Sequence, residues 1–296
     1  MGEGEDVRRV ARGWRQARLT DQRSVGTCTS GGITPRSAAR DHEPITENHC
    51  GGGGREGVVL DALTTLNEEW GLSPEARTHV ERALMPMLLG LYEPTDEQCI
   101  AIGASKFGGR PDLPAGVAWP WSAGHPTWFL AQVDLSSLPS TGRLPATGLL
   151  SFFYDDAGGP AGRGSRVLHL EGELTRRDVV IDPRYEPGFL ARVLPPRRID
   201  FVPGWSLPRR SPAGLATLID DYDVLRDDLW YLQTKGRRAH QLLGLPSAAW
   251  EPRGTLAGWD LLLQVADLND HVSFMLPPEA LAERRFDRAV AHHETT

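Results

Sequence analysis

Lys106 is a residue whose setting could do chemistry, because Gly108 and Gly109 follow it closely. Glycines let successive backbone N–H groups converge on an oxyanion, and a nearby ammonium adds charge. The competing reading is a tight turn with a solvated lysine. The segment lacks the hydroxyl and spacing of a phosphate loop, which favours the turn. Gln132 and Gln264 are amides inside the apolar runs Phe129–Val133 and Leu261–Val265. A buried amide needs hydrogen-bond partners. The pair faces either a ligand or a loop backbone, and the loop clamp is the commoner solution. Asp134 and Asp267 follow those runs as an acid–base pair or, more ordinarily, as turn caps. His240 has the intrinsic pKa of a general base, but no serine or cysteine nucleophile pairs with it in the sequence. A capping or core histidine is the simpler reading. Trp119, Trp121 and Trp128, with His125, form either an aromatic wall or packing under a Pro-rich loop. The binding candidates are therefore Lys106, Trp119, Gln132, Asp134, His240 and Gln264, with no residue assigned as catalytic.

Stronger catalytic signatures are missing. The chain has no H-E-x-x-H, no G-x-S-x-G and no G-x-x-x-x-G-K-[ST]. Gly52, Gly54 and Gly57 fit G-x-G-x-x-G, but they sit in a glycine run with no strand before it. His42, His49 and Cys50 fall in the same stretch, and His292 and His293 stand near the other terminus. None of these has zinc-site spacing. The expectation is no metal and no cofactor.

The elements that must position these residues follow from periodicity. Val59, Leu63, Leu66 and Trp70 recur at helical spacing, with Gly71 as the stop. Ser73, Pro74 and Glu75 then open a second helix, whose buried face is predicted as Val80, Leu84, Met87, Leu88 and Leu91. Pro86 should kink that helix or end it early. Residues 103–126 read as a Gly/Pro-rich loop region, and 155–165 as a glycine-rich loop. Strands are predicted at Phe129–Val133, Leu149–Tyr154, Val167–Leu170, Val179–Ile181, Ile199–Val202, Leu261–Val265 and Val272–Leu276. A long helix is predicted from Ser211-Pro212 to Lys235, closed by Gly236, with Leu215, Leu218, Tyr222, Leu225, Leu229 and Leu232 as its apolar stripe. Asp220, Asp221, Asp223, Asp227 and Asp228 fall mainly off that stripe. They offer a face to a basic protein partner, although a solvated helix face is the default.

Composition bounds the rest. The 296 residues carry a formal charge of −7. Residues 1–57 hold nine Arg and eight Asp/Glu, a net of +1, which leaves −8 for the remainder. An acidic domain repels phosphate backbones, so nucleic acid is excluded as a general partner. A basic protein or a small molecule fits better. The three cysteines, Cys28, Cys50 and Cys99, are too sparse for a disulfide scaffold. No apolar run is long enough to span a bilayer. The expected setting is the cytoplasm, without membrane contact. Residues 1–57 contain one aromatic, Trp14, and six Val, Ile or Leu. That cannot offset the entropy of ordering them. The expectation is a disordered or mis-assigned extension, with the folded protein beginning near Val58.

The two halves of residues 58–296 echo one another. Gly109-Arg110-Pro111 matches Gly244-Leu245-Pro246, and Phe129–Asp134 matches Leu261–Asp267 with one residue inserted. Ser151-Phe152-Phe153 matches Ser273-Phe274-Met275. The Pro-to-Gln spacing is 21 and then 18, and the Gln-to-Ser spacing is 19 and then 9. The order is preserved throughout. This pattern predicts two repeats, at about 103–205 and 237–290, with equivalent glutamines and a ligand cleft between them.

The runs Ser105–Pro114, Trp119-Pro120, Phe129–Leu135, Leu144–Phe153, Ser206–Pro208, His240–Pro246 and Leu261–Val265 together resemble the YwqG-like family, a bacterial domain of unknown function. The resemblance covers roughly residues 58–290. It implies an α+β fold with internal repeats and no reaction. Family members usually carry a Trp-Gly-Asp-type turn before the last strand, and here the turn reads Asp267–Val272. Some relatives lie near toxin–immunity genes, which makes a toxin-neutralising role an expectation.

The predicted fold is therefore α+β, internally duplicated, with a mainly antiparallel sheet, two N-terminal helices and a long helix between the repeats. The predicted function is a non-enzymatic cytoplasmic binding protein, immunity-like, for a basic protein partner. The alternative is an enzyme acting on a small polar substrate in the cleft between the repeats, through Lys106, Gln132, Asp134 and His240.

Overall fold

The computed structural model describes residues 55–155, 164–182, 184, 194–246, 256–267 and 270–295. Residues 1–54, the bulk of the expected extension, lie outside them. So do most of the expected loop 155–165, residues 268–269 and the side chain of Asp267.

Helix α1 spans Arg55–Trp70, and Gly71 follows with φ 55°. Helix α2 spans Pro74–Ala83. The Ser73 hydroxyl accepts from the Ala76 N–H at 3.1 Å, as a serine N-cap should. Strand β1 covers Met85–Pro94, β2 Lys106–Phe107, β3 Asp112–Leu113, β4 Trp121–Ser122 and β5 His125–Pro126. Then come β6 (Trp128–Asp134), β7 (Leu149–Tyr154), β8 (Arg166–Leu170), β9 (Thr175–Arg176) and β10 (Arg197–Ser206). Helix α3 is Tyr222–Thr234. It is followed by β11 (Ala239–Leu242), β12 (Asp260–Asp267), β13 (Asp270–Leu276), helix α4 (Pro278–Ala282) and β14 (Val290–Thr295).

Ten strands form one sheet in the order β14-β13-β12-β11-β1-β10-β2-β6-β7-β8, and β3–β9 and β4–β5 form two small pairs. The ladder between each pair of neighbours is antiparallel. With four helices among the described residues, the fold is α+β. One face of the sheet carries the main core, including Leu88, Phe107, Phe152, Phe201, Leu242 and Phe274. The Phe152 and Phe274 rings meet edge-on at 5.1 Å, which brings the two flanks of the sheet together over that core. The other face buries Met87, Leu89 and Leu91 against Trp230 of α3. Gly90 lies between these layers, where a Cβ would come within 2.9 Å of the Phe201 ring.

Four expectations differ from the structure. Residues 103–126, expected as a loop region, hold the short strands β2 to β5, and β2 joins the main sheet between β10 and β6. The second helix does not run on to Leu91. It ends at Ala83, and Met87–Leu91 becomes the buried centre of β1. A short continuous apolar run looks the same in a buried helix and in a strand buried on both faces. Pro86 is tolerated because β11 pairs only with Leu88–Leu91, so its missing N–H lies outside the doubly flanked stretch. The long helix starts at Tyr222, not Ser211. Asp220, Asp221 and Asp223 stand at its N-terminus, where the helix dipole favours carboxylates. The expected stripe breaks there too: Leu215 and Ile219 are buried while Leu218 is exposed. Val179–Ile181 forms no strand, and Ile181 is exposed. The C-terminal stop of α3 is as predicted, with Lys235 and Gly236 at φ 53° and 71°.

The pairing places like residues in rows. Lys106 faces Gln132, and Gln132 faces Ser151, across β2, β6 and β7. Gln241 faces Gln264, and Gln264 faces Ser273, across β11, β12 and β13. The register slips between Phe129 and Ala131 in one row, and between Leu261 and Leu263 in the other.

Candidate functional site

Lys106 is completely buried, which is rare for a lysine without a counter-charge. Strand β2 aims its ammonium at Asp112, also fully buried, with Nζ 3.3 Å from Oδ2. Strands β3 and β9 pair Asp112 directly with Arg176, whose Nε donates to Oδ1 at 2.9 Å. Oδ2 also accepts from the Gly103 N–H at 2.9 Å and from Gln132 Nε2 at 2.8 Å. Burial pushes the Asp112 carboxyl up, but the Arg176 guanidinium, these two donors and Lys106 outweigh it and hold the group below the usual carboxylate range. Burial pulls the Lys106 ammonium below its ordinary range, against the attraction of Asp112, and Arg176 adds to the lowering.

The same groups fix one stretch of backbone. Arg176 donates to the carbonyls of Glu97 at 2.7 Å, Ile100 at 2.9 Å and Ala101 at 3.4 Å. Gln132 Nε2 donates to the Ala104 carbonyl at 2.8 Å, and its Oε1 accepts from the Asp112 N–H at 2.9 Å. The Glu97 carboxylate accepts from the backbone N–H of Arg110 and from its side chain. The turn at 100–104 is thus tied down at every residue but Ile102, which projects with 58% of its surface exposed. Gly108 and Gly109 have φ 67° and 68°. Their N–H groups donate to the carbonyls of Leu130 at 2.7 Å and Leu194 at 2.8 Å, so neither is available to an oxyanion. A Cβ on Gly108 would lie 2.6 Å from the Pro195 carbonyl oxygen, so this glycine serves close backbone packing.

Beside the clamped turn runs an open groove of about 580 Å³. Ile102, Leu149, Leu170 and Leu174 form its apolar walls, and Asp134 and Glu171 are its two carboxylates. Asp134 also caps the turn that follows it. Its Oδ1 accepts from the Ser136 N–H at 3.0 Å and from the Ser136 hydroxyl at 2.7 Å.

The remaining sequence candidates are dispersed. His240 lies in β11 with its ring 4.4 Å from Tyr92 and 4.6 Å from Phe107. Phe107 is next to Lys106, and successive strand residues point to opposite faces. His240 and Lys106 therefore do not share a site. His240 Nδ1 accepts from the Ala266 N–H at 3.2 Å, which puts the proton of the neutral ring on Nε2. Burial, helped by the Arg197 guanidinium, pushes its pKa down to about 3. Gln264 donates to the Ser273 hydroxyl at 2.9 Å. Trp119 donates to the Thr127 carbonyl at 2.9 Å and packs edge-on against Phe153. Trp121 is exposed, whereas Trp128 and His125 are buried. On α3, Arg226 pairs with Asp223 at 3.0 Å and Asp227 at 3.4 Å, so part of the acidic face is already neutralised.

Sequence reading did not single out Asp112, Arg176 or Gln241. Asp112 stands six residues after Lys106, a spacing that a search for buried ion pairs would catch. Arg176 has no local signal, because its partner lies 64 residues away. Gln241 donates to the carbonyls of Leu243 at 2.9 Å and Leu245 at 2.6 Å, a loop clamp of its own.

No helix among the described residues is long and apolar enough to cross a membrane. The family described as Domain of unknown function (DUF1963) matches residues 105–294, which include Lys106, Asp112, Gln132 and Arg176. No curated protein matches the chain.

Proposed function

The chain belongs to the family Domain of unknown function (DUF1963), and from that premise we propose that it is a non-enzymatic binding protein, with its polar interior serving to hold a recognition surface. One observation carries this reading: Lys106, Asp112, Gln132 and Arg176 all direct their polar atoms at one another or at backbone groups of residues 97–112. A general base needs a proton within hydrogen-bond reach on a substrate. These groups are sealed from solvent or already engaged, and His240 is on the opposite face of the sheet.

The YwqG-like resemblance and the expected cytoplasmic setting favour an intracellular partner. A basic protein is the partner that the acidic charge favours, and an immunity-like role is its most specific form. We also read the sheet as two repeats flanking β1 and β10. Three observations support this: the two Gln–Ser rows, the matching slips in register, and the paired bonds from the Gly108 N–H to the Leu130 carbonyl and from the Leu243 N–H to the Leu262 carbonyl. The Asp134 N–H donates to the Ser105 hydroxyl as the Ala266 N–H does to His240, so Ala266 rather than Asp267 corresponds to Asp134.

Incubating the full chain with a small-molecule extract of its own host, followed by mass spectrometry, tests the binding reading. No component should be consumed beyond one equivalent of protein. Multiple-turnover loss of a component, abolished by Lys106→Met, would overturn it.

A further inference from the structure

We propose that the groove beside Ile102 docks a basic, extended segment of a partner protein, with Ile102 as its apolar anchor and Asp134 and Glu171 receiving a lysine or arginine; this rests on the binding-protein reading above. An exposed isoleucine alone is unremarkable on a protein surface. Ile102 differs because the residues on both sides of it are fixed from below. Arg176 holds the carbonyls of Ile100 and Ala101, Asp112 holds the Gly103 N–H, and Gln132 holds the Ala104 carbonyl. A turn ordered before binding loses little conformational entropy when a partner arrives. Rigid apolar anchors in the middle of a patch are where binding energy concentrates.

The charge of the groove selects the occupant. Its lining holds two carboxylates, Asp134 and Glu171, and no lysine or arginine. Neither carboxylate has an ion-pair partner among the described residues. The acidic face of α3 is the competing surface, but there Arg226 already sits between Asp223 and Asp227. Leu149, Leu170 and Leu174 offer apolar wall to the aliphatic stem of a long basic side chain, whose head then reaches the carboxylates. A basic segment with interspersed apolar residues satisfies both features, whereas an acidic one would meet like charge.

The probe is a fluorescein-labelled hexapeptide of alternating lysine and leucine, titrated with the full chain and read by anisotropy. An alternating glutamate–leucine peptide is the control. The lysine peptide should bind, weaken as salt rises, and lose about tenfold in affinity in each of Ile102→Asp and Glu171→Lys. Asp223→Asn/Asp227→Asn should leave it unchanged. Both groove positions are exposed, and an unaltered thermal melt verifies that the variants fold. Equal binding to the glutamate peptide, loss in the α3 variant instead, or no binding by the wild-type chain would each overturn the docking site. None of these results bears on the turnover experiment, so the two readings fail separately.

Discussion

Where the flank β2–β6–β7 sets Lys106 opposite Gln132, the flank β11–β12–β13 sets Gln241 opposite Gln264. Each flank holds a loop with its row. The first does so with a buried lysine, a buried aspartate and an arginine. The second uses one amide, Gln241, on the carbonyls of Leu243 and Leu245. The loops themselves explain the difference. Leu243 is buried, so apolar packing helps to hold that loop. Ala101 and Ile102 are exposed, and burial cannot hold them. Directional bonds must do it, and those from charged groups are the stronger ones. The charges carry a desolvation cost that an amide avoids. The first flank accepts that cost and displays a fixed apolar side chain as a result.

Removing the shared counter-charge should separate the flanks most. Asp112→Ala removes the carboxylate that Lys106 and Arg176 share, leaving Lys106 only the longer contact to Glu97 at 3.8 Å, and should lower unfolding stability by about 3–5 kcal/mol. Gln241→Leu should cost about 1–2 kcal/mol, the scale of losing neutral hydrogen bonds. Urea denaturation of both variants gives the comparison, and equal losses would dissolve it.

A smaller effect concerns Ser105 and His240, the acceptors for Asp134 and Ala266. Only the second can titrate. The folded imidazole stays neutral down to about pH 3, whereas in the unfolded chain it protonates near pH 6.5. Between those values the unfolded chain binds a proton that the folded one does not. Stability is therefore complete above pH 6.5 and falls as the pH drops, by about 2 kcal/mol on reaching roughly pH 5. His240→Leu should flatten that slope in denaturation curves taken across the window, and a slope unchanged by the substitution would remove His240 as its source. The smallest effect is expected at the rim of the first clamp. Arg110→Ala removes an exposed partner of Glu97 and Asp178, and its denaturation midpoint should stay close to that of the wild-type chain.

Much of the scaffold was legible in local pattern. Ser73, Pro74 and Glu75 announce the start of α2, and Lys235-Gly236 the end of α3, because capping depends on neighbours a few residues apart. The runs around Gln132 and Gln264 read as strands because a polar residue in an apolar run still keeps the β preference of its neighbours. The reading failed where context decides. Met87–Leu91 has the composition of a buried segment of either kind, and only its place between β10 and β11 makes it a strand.

The sequence by itself determined the turns, the caps, six of the ten strands of the main sheet and the two glutamine positions, since each depends on interactions between residues close along the chain. Only the tertiary structure decided what those positions do. It brought Arg176 to Asp112 across 64 residues, put His240 on the far side of the sheet from Lys106, and left Ile102 exposed above a buried set of charges. The physical reason is that charge pairing and burial depend on distance in space, which strand order and register set and local spacing does not.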